Sequence, residues 1–374
     1  MRRLKRIKVG IIGIGYIGEA HLEAIRRLGY ADINAVVIRD EKRAREICER
    51  FNIPKYFTDY KEMLSDSSIE VVHNCTPNNI HFQINKDVIL SRKHILSEKP
   101  LTQNSTESQE LVELIQKYRV FHAVNFLYRH YTMIQYIKEL IERGELGKIY
   151  TINGAFLQDW LLYDTDYNWR VEAHLGGQSR VIADIGSHWF DIARFLLGQN
   201  IIEVFADLTT FIPVRSKVVT ANPLAYQPIN IDTEDYGSVL FRCENGIRGN
   251  FIASQVSAGR KLGLSLQIDG SKASVYWEHE NASSLWIGHR DRPNEMLISP
   301  PGLLKEQGRV SSYYQRNKNE RWPDAQKNML DSFYRAILYQ DKINYATFED
   351  AHEVMKVIKA ILESNKSGTW QKVQ

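Results

Sequence analysis

A short apolar run, Val9 to Ile12, ends in Gly13-Ile14-Gly15-Tyr16-Ile17-Gly18 and passes directly into a helical pattern. Strand, glycine loop, helix: this order restricts the fold more than any other feature of the chain. In such a context the first glycine makes a tight turn, the second lets a pyrophosphate reach the backbone, and the third allows close helix-to-sheet packing. Donor N–H groups at the helix start then face the phosphates. Gly13, Gly15 and Gly18, with Tyr16 and Ile17 between them, are therefore candidate dinucleotide contacts. A glycine-rich turn that binds nothing can carry the same letters, so the reading depends on the pattern of the next hundred residues.

Those residues alternate. Ile33 to Ile38, Val71 to Asn74, His94 to Leu96 and Ala123 to Phe126 read as buried strands, separated by helical patterns. Such an order predicts a parallel sheet with crossover helices. One helix face is marked by Ile17, Ala20, Ala24 and Leu28, a second by Ala44, Ile47, Cys48 and Phe51, and a third by Leu111, Leu114, Ile115 and Tyr118. Gly29 is placed to stop the first helix, and Asn104 with Glu107 to form a capping box for the third. These features define an α/β Rossmann dinucleotide-binding domain over residues 1–126.

After Tyr128 long helices disappear between most apolar runs: Tyr150 to Leu157, Val204 to Thr210, Tyr236 to Arg242, Gly249 to Gln255 and Leu262 to Ile268. We expect a second, α+β domain over 127–374 with a large, mainly antiparallel open sheet. Asn245-Gly246 is a hairpin signal, since both residues tolerate the positive φ of a type I′ turn. Segments 213–233 and 290–324 read as long surface loops, and two helices, 324–338 and 348–362, close the chain.

Composition narrows the function. The 374 residues hold 48 Lys plus Arg against 45 Asp plus Glu, a net charge of +3 too small and too well mixed to serve a nucleic-acid binder. No run approaches the roughly 20 apolar residues of a membrane span. Three widely spaced cysteines, Cys48, Cys75 and Cys243, suit a reducing compartment. The basic start, Arg2, Arg3, Lys5, Arg6 and Lys8, is followed by a run too rich in glycine for a signal peptide. A cytoplasmic protein with a small-molecule partner is the expectation.

Cofactor choice in such folds turns on the end of the second strand, where an acid grips the ribose 2′-hydroxyl of NAD. That place falls at Ile38, followed by Arg39 and Asp40. A guanidinium stands where a 2′-phosphate can be bound, so the reading is NADP or NAD with a lean to NADP; Arg39 stacked on adenine, or solvated, is the alternative.

His94 to Pro100 ends a strand in Glu98-Lys99-Pro100, with a lysine fixed at the carboxyl edge where ligands gather. Farther on, Gly176-Gly177 precedes Asp184-Ile185-Gly186-Ser187-His188-Trp189-Phe190-Asp191. In a helix beginning near Asp184, positions 184, 188 and 191 share one face. These could be metal ligands, but no second histidine or cysteine stands at ligand spacing, and no metal is expected. With the glycine loop and Thr76-Pro77, the chain resembles the Gfo/Idh/MocA oxidoreductase family over most of its length. The resemblance implies cofactor contacts at Thr76, Pro77, Glu98 and Lys99, and a catalytic set of Lys99, Asp184 and His188 at the substrate.

Between these motifs, Gln158 to Arg170 is rich in aromatic and acidic residues. Flat rings offer a platform to the C–H faces of a sugar, and charged groups bond its hydroxyls. Trp160, Asp164 and Arg170 are carried as substrate candidates; Asn125, Tyr128 and Arg129 line a cleft or seal an interface. The expected activity is hydride transfer between NADP or NAD and a hydroxyl-bearing carbon of a sugar, inositol or polyol. Its rivals are an NAD-dependent glycosidase on the same fold and a non-catalytic dinucleotide sensor. The open sheet and the family resemblance imply a homodimer or homotetramer.

Overall fold

The computed structural model describes residues 6–219, 222–298 and 320–374. Two compact units divide the chain, Met1–His130 with Trp322–His352 and Tyr131–Arg321 with Glu353–Gln374.

The first unit is built on β1 (Ile7–Ile12), β2 (Ala31–Val37), β3 (Tyr56–Phe57), β4 (Val71–Asn74), β5 (His94–Ser97) and β6 (His122–Val124), ordered β3-β2-β1-β4-β5-β6 with every pair parallel. Val9, Ile11, Val36, Val71, Val72, Ile95, Leu96 and Ala123 are all buried. Strands covered on both faces read as continuous apolar runs, which is why the sequence marks them so clearly. The strand order reverses between β1 and β4, and ligands of such sheets bind beyond the carboxyl ends at that point.

The helix after β1, Tyr16–Leu28, ends at Gly29 with φ 75°. Its buried residues are Gly18, His21, Leu22, Ala24 and Ile25, whereas Ile17, Ala20 and Leu28 are only half-buried. The stripe is rotated because the helix Trp322–Tyr339 also packs on this helix. That later helix therefore belongs to the first unit, anchored by Arg27 to Asp324 at 2.6 Å and by Tyr30 to Asp331 at 2.5 Å. The expected continuous domain 127–374 is thus interrupted. The helix Ser105–Tyr118 is capped by Asn104, whose side chain accepts from the Glu107 amide at 2.9 Å. Glu107 in turn accepts from Gln103 rather than Asn104, so the box opens one residue outward.

The second unit carries β7 (Ile149–Leu157), β8 (Ile201–Thr209), β9 (Val214–Val219), β10 (Asn222–Asn230), β11 (Tyr236–Cys243), β12 (Arg248–Ser254), β13 (Gly263–Gly270), β14 (Ser274–Glu278), β15 (Ser284–Gly288), β16 (Glu295–Ile298) and β17 (Gln371–Lys372). Nine of them form one sheet, β16-β15-β14-β13-β7-β12-β11-β8-β17, in which β7 and β12 pair in parallel and the other pairs are antiparallel. Segment 213–233 is not a loop: β9 and β10 make a two-stranded ribbon. A ribbon outside the main sheet has no need of an apolar alternation, so its sequence resembles a loop. In segment 290–324, β16 extends the sheet and Trp322 opens a helix; residues 299–319 lie outside the described residues, as do Arg2, Arg3 and Lys5. The turn at Asn245-Gly246 joins β11 to β12, but only Gly246 has positive φ (82°). With Cys243 N–H bonded to Ile247 O, the loop has three residues and a left-handed glycine rather than the type I′ form.

Trp189 stacks on Phe251 at 4.7 Å, beside Phe190 and Phe241, and its indole N–H donates to Ser265 O at 3.0 Å. A side chain at Gly154 would collide with this indole, so glycine lets the ring lie on the sheet. This packing pins the helix Ser187–Leu197.

Candidate active site

The three loop glycines stand in different surroundings. Gly13 has φ +88°, and a Cβ there would stand 2.8 Å from Cys75 O; a Cβ at Gly18 would strike the Gly13 carbonyl. Gly15 meets nothing within 4 Å and has φ −92°, which any residue adopts. Folding therefore demands glycine at 13 and 18 but not at 15, where open space adjoins a helix start with no side-chain cap. These residues fit a dinucleotide: the space at Gly15 leaves the backbone open to a group the size of a pyrophosphate. Tyr16 is exposed and Ile17 half-buried.

At the end of β2, Ile38 is buried and Arg39 exposed. Asp40 caps the next helix, Glu41–Phe51, accepting from the Arg43 amide at 2.9 Å, and the Arg43 side chain donates to Ile14 O at 2.8 Å. The acid that comes after β2 is thus engaged in capping.

Beyond β4 and β5 two loops are tied together. His81 has its ring nitrogens 2.8 Å from Thr76 O and 2.7 Å from Pro100 O, linking Thr76-Pro77 to Lys99-Pro100 across a cis peptide. Thr76 Oγ1 donates to Asn74 at 2.6 Å, and Asn74 continues through Asn85 to Ser97. Glu98 is buried. Burial alone would raise its pKa, but hydrogen bonds from His21 and Asn125 and the nearby Lys99 charge outweigh it and bring it down to about 2. Its other oxygen accepts from the Lys99 backbone N–H at 3.3 Å. Lys99 itself is half-buried.

In the second unit the helix carrying Asp184 runs through a π-helical turn, Ile182–Gly186, into Ser187–Leu197. Asp184 is paired with Arg170 (Nε to Oδ1 3.4 Å) and accepts from Gln255 Nε2 at 2.9 Å. Arg170 lies over the Trp169 ring at 4.4 Å. His188 is buried at 7% exposure and Asp191 is fully buried. The structure thus brings the two candidates Asp184 and Arg170 together. Trp160 is bonded instead to Gln158 at 2.8 Å, and the exposed Asp164 is held through its carbonyl by Ser216 N–H. Asn125, Tyr128 and Arg129 are buried in the first unit, with Arg129 3.3 Å from Asp350. Among the described residues no His, Cys, Asp and Glu side chains group as a metal site.

Sequence reasoning missed His21, His73 and Tyr334, which lead to Glu98, and Arg180, Arg215, Asp235 and Gln255, which support Asp184. A histidine inside a buried helical stripe was the available signal for His21.

A glycine loop feeding a 3-2-1-4-5-6 parallel sheet, joined to a unit with a nine-stranded sheet, defines a two-unit, dinucleotide-binding oxidoreductase. Residues 7–126 match the oxidoreductase family with NAD-binding Rossmann fold, and residues 134–276 match the GFO/IDH/MocA C-terminal domain; the chain belongs to the Gfo/Idh/MocA oxidoreductase family and is an enzyme of that class. It is 28% identical to levoglucosan dehydrogenase of Pseudarthrobacter phenanthrenivorans over 98% of both chains, and 26% identical to myo-inositol 2-dehydrogenase of Thermotoga maritima over 88% of both. A solved levoglucosan dehydrogenase in complex with NADH and levoglucosan superposes with a TM-score of 0.90 over 99% of this chain and all of that one, at 26% identity.

Proposed function

We propose that the protein oxidises a hydroxyl-bearing carbon of a sugar, inositol or related polyol, reversibly, with NAD or NADP. The observation that carries this reading is the pairing of an open Gly15 with Lys99 held at the carboxyl end of β5. Gly13 to Gly18 would hold the pyrophosphate, Ile38 and Arg39 the adenosine end, and Thr76, Pro77, Glu98 and Lys99 the nicotinamide end. The bound cofactor supplies hydride acceptance. Lys99 takes the hydroxyl proton as the hydride leaves, Asp184 orients the reacting hydroxyl, and His188 with Arg170 binds the sugar; Trp160 and Asp164 add an outer wall. Names of the relatives support the substrate class, and they make levoglucosan and myo-inositol the first compounds to screen.

Lys99→Ala should lower kcat about 10²–10⁴-fold with dinucleotide affinity retained, while His188→Ala mainly raises KM. If His188→Ala abolishes turnover and Lys99→Ala changes only KM, the two roles are exchanged. Turnover within tenfold of wild type in both variants would sink the mechanism.

The same proposal includes a homodimer or homotetramer, because Leu240 and Ile252 are exposed on the nine-stranded sheet. A monomeric mass by light scattering at micromolar concentration would count against it. No helix among the described residues is long and apolar enough to cross a membrane. Cys48, Cys75 and Cys243 are free thiols, in keeping with a reducing cytoplasm.

A further inference from the structure

Four side chains from separate parts of the first unit form one hydrogen-bonded line that ends at the peptide of Lys99. Tyr334 Oη lies 2.7 Å from His73 Nε2, His73 Nδ1 2.8 Å from His21 Nδ1, and His21 Nε2 2.8 Å from Glu98 Oε1. Glu98 Oε2 then accepts from the Lys99 backbone N–H. Tyr334, His73 and His21 are each 0% exposed. The imidazoles meet edge to face, 5.0 Å apart.

The chemistry of the groups fixes the direction of the line. An ionised carboxylate only accepts, so His21 Nε2 carries a hydrogen. In a neutral His21, Nδ1 is then a bare acceptor, and His73 Nδ1 must donate to it. That leaves His73 Nε2 bare, to accept from the Tyr334 hydroxyl. Every polar hydrogen in the line has an acceptor in this state, and all three donors point toward Glu98. An added proton on His21 reverses the upper two links: His73 Nε2 becomes a donor facing Tyr334, and the buried hydroxyl hydrogen loses His73, its hydrogen-bond partner among the described residues.

His73 and Tyr334 are both held neutral. Burial holds the pKa of His73 well below the ordinary histidine value, and burial with Cys75 keeps that of Tyr334 well above the usual phenol range. The remaining titratable groups facing the line are Cys75, a thiol whose pKa burial and Glu98 push well up, His81, Lys99 and Tyr30. Asn125 adds an amide donor to Glu98 at 2.5 Å and also reaches Gln326 at 2.9 Å. Because Tyr334 has no exposed surface, the line offers no exit for a proton and is not a conduit.

We propose that Tyr334, His73 and His21 are positioning residues for Lys99: donating in series, they hold Glu98 as the carboxylate, and Glu98 fixes the Lys99 peptide at the reacting centre. This rests on the reading of Lys99 as the proton-transfer group. Buried donor chains of this kind specify one arrangement when every member is satisfied.

Two measurements test it. On the full chain with ¹⁵N-labelled histidine, the ring nitrogen signals at pH 7 should show His73 as the Nδ1–H tautomer and His21 as the Nε2–H tautomer, both neutral; a doubly protonated His21 overturns the proposal. Tyr334→Phe removes one hydroxyl and keeps the ring. Assayed with NAD and levoglucosan or myo-inositol, whichever turns over, it should lower kcat about five- to twentyfold while NADH affinity, read by nicotinamide fluorescence, stays within twofold. Its acid-side loss of kcat should move to higher pH, because protonating the line no longer strands a hydroxyl. A folded Tyr334→Phe with kcat within twofold and an unchanged pH profile overturns the proposal; should that variant not fold, His73→Gln is judged by the same limits. If Lys99→Ala retains turnover, the reading of Lys99 fails, and the tautomer result still reports on the line itself.

Discussion

Arg215 Nη2 donates to Asp235 Oδ1 at 2.9 Å, with neither side chain exposed to solvent. The same oxygen accepts from Arg180. Through its other donors Arg215 holds the carbonyls of Leu161, Tyr163 and Asp166, and Arg180 precedes the helical turn that carries Asp184. Glu234 completes the frame by accepting from Ser179 Oγ and the amides of Arg180 and Ile182. One carboxylate therefore joins the Gln158–Arg170 segment to Asp184. Asp235→Asn leaves two buried guanidiniums without their counter-ion, and should cost about 3–5 kcal/mol of stability. Urea unfolding that moves by less than about 1 kcal/mol would show that the frame is not held this way.

Gly15→Val should abolish dinucleotide binding and leave the thermal midpoint nearly unchanged. The backbone at Gly15 suits any residue and the site has room for a side chain, so the loss would fall on the ligand rather than on the fold. Gly18→Val is the contrasting case, because its side chain meets the Gly13 carbonyl and should unfold the loop. Titration of nicotinamide fluorescence, alongside a melting curve, separates the two; equal affinity in Gly15→Val and wild type would remove the loop from the cofactor site.

Much of this arrangement was legible in the chain. The parallel strands announce themselves because both faces are buried, and the glycine loop because its demands are local. Asp184, in a recognisable motif, and Arg170, in an aromatic and acidic stretch, were each within reach, but their pairing was not. The hidden parts depend on distant partners: His73 and Tyr334 are 261 residues apart, and Arg180 and Asp235 are 55 apart. His21 was passed over because the buried stripe of its helix is set partly by a helix that arrives about 300 residues later. The β9–β10 ribbon escaped for the opposite reason, as its residues carry little apolar periodicity while Arg215 anchors it from within.

Cofactor preference should track Arg39. Asp40 is occupied in capping the helix Glu41–Phe51, so the exposed guanidinium before it is the group available to a 2′-phosphate. Arg39→Ala should then weaken NADP by about 1.5–3 kcal/mol, the range for a charged hydrogen bond, and barely alter NAD. Equal losses for the two dinucleotides would mean that Arg39 stacks on adenine, and no loss for either would place it in solvent.

Stability should decline as the medium turns acidic, starting near neutrality. Burial, with the adjacent Arg129 charge, lowers the pKa of His130 from 6.5 to about 3, and burial also holds that of His73 well below the ordinary value. In the unfolded chain these rings bind protons below about 6.5, while the folded chain keeps them neutral, so the unfolded state carries more protons in that window. Their contribution is complete above about pH 6.5 and is lost as the pH falls toward the folded value, about 3 for His130. Each such histidine removes about 1.4 kcal/mol per pH unit across its window. Below about pH 4.5 Glu98 acts in the same direction, since its folded value of about 2 is depressed and protonation in the unfolded chain again wins. Urea midpoints measured at pH 7.5, 6.0 and 5.0 should fall progressively, with the steeper drop in the lower interval; a constant midpoint across that range would mean that the buried rings take up protons without unfolding the unit.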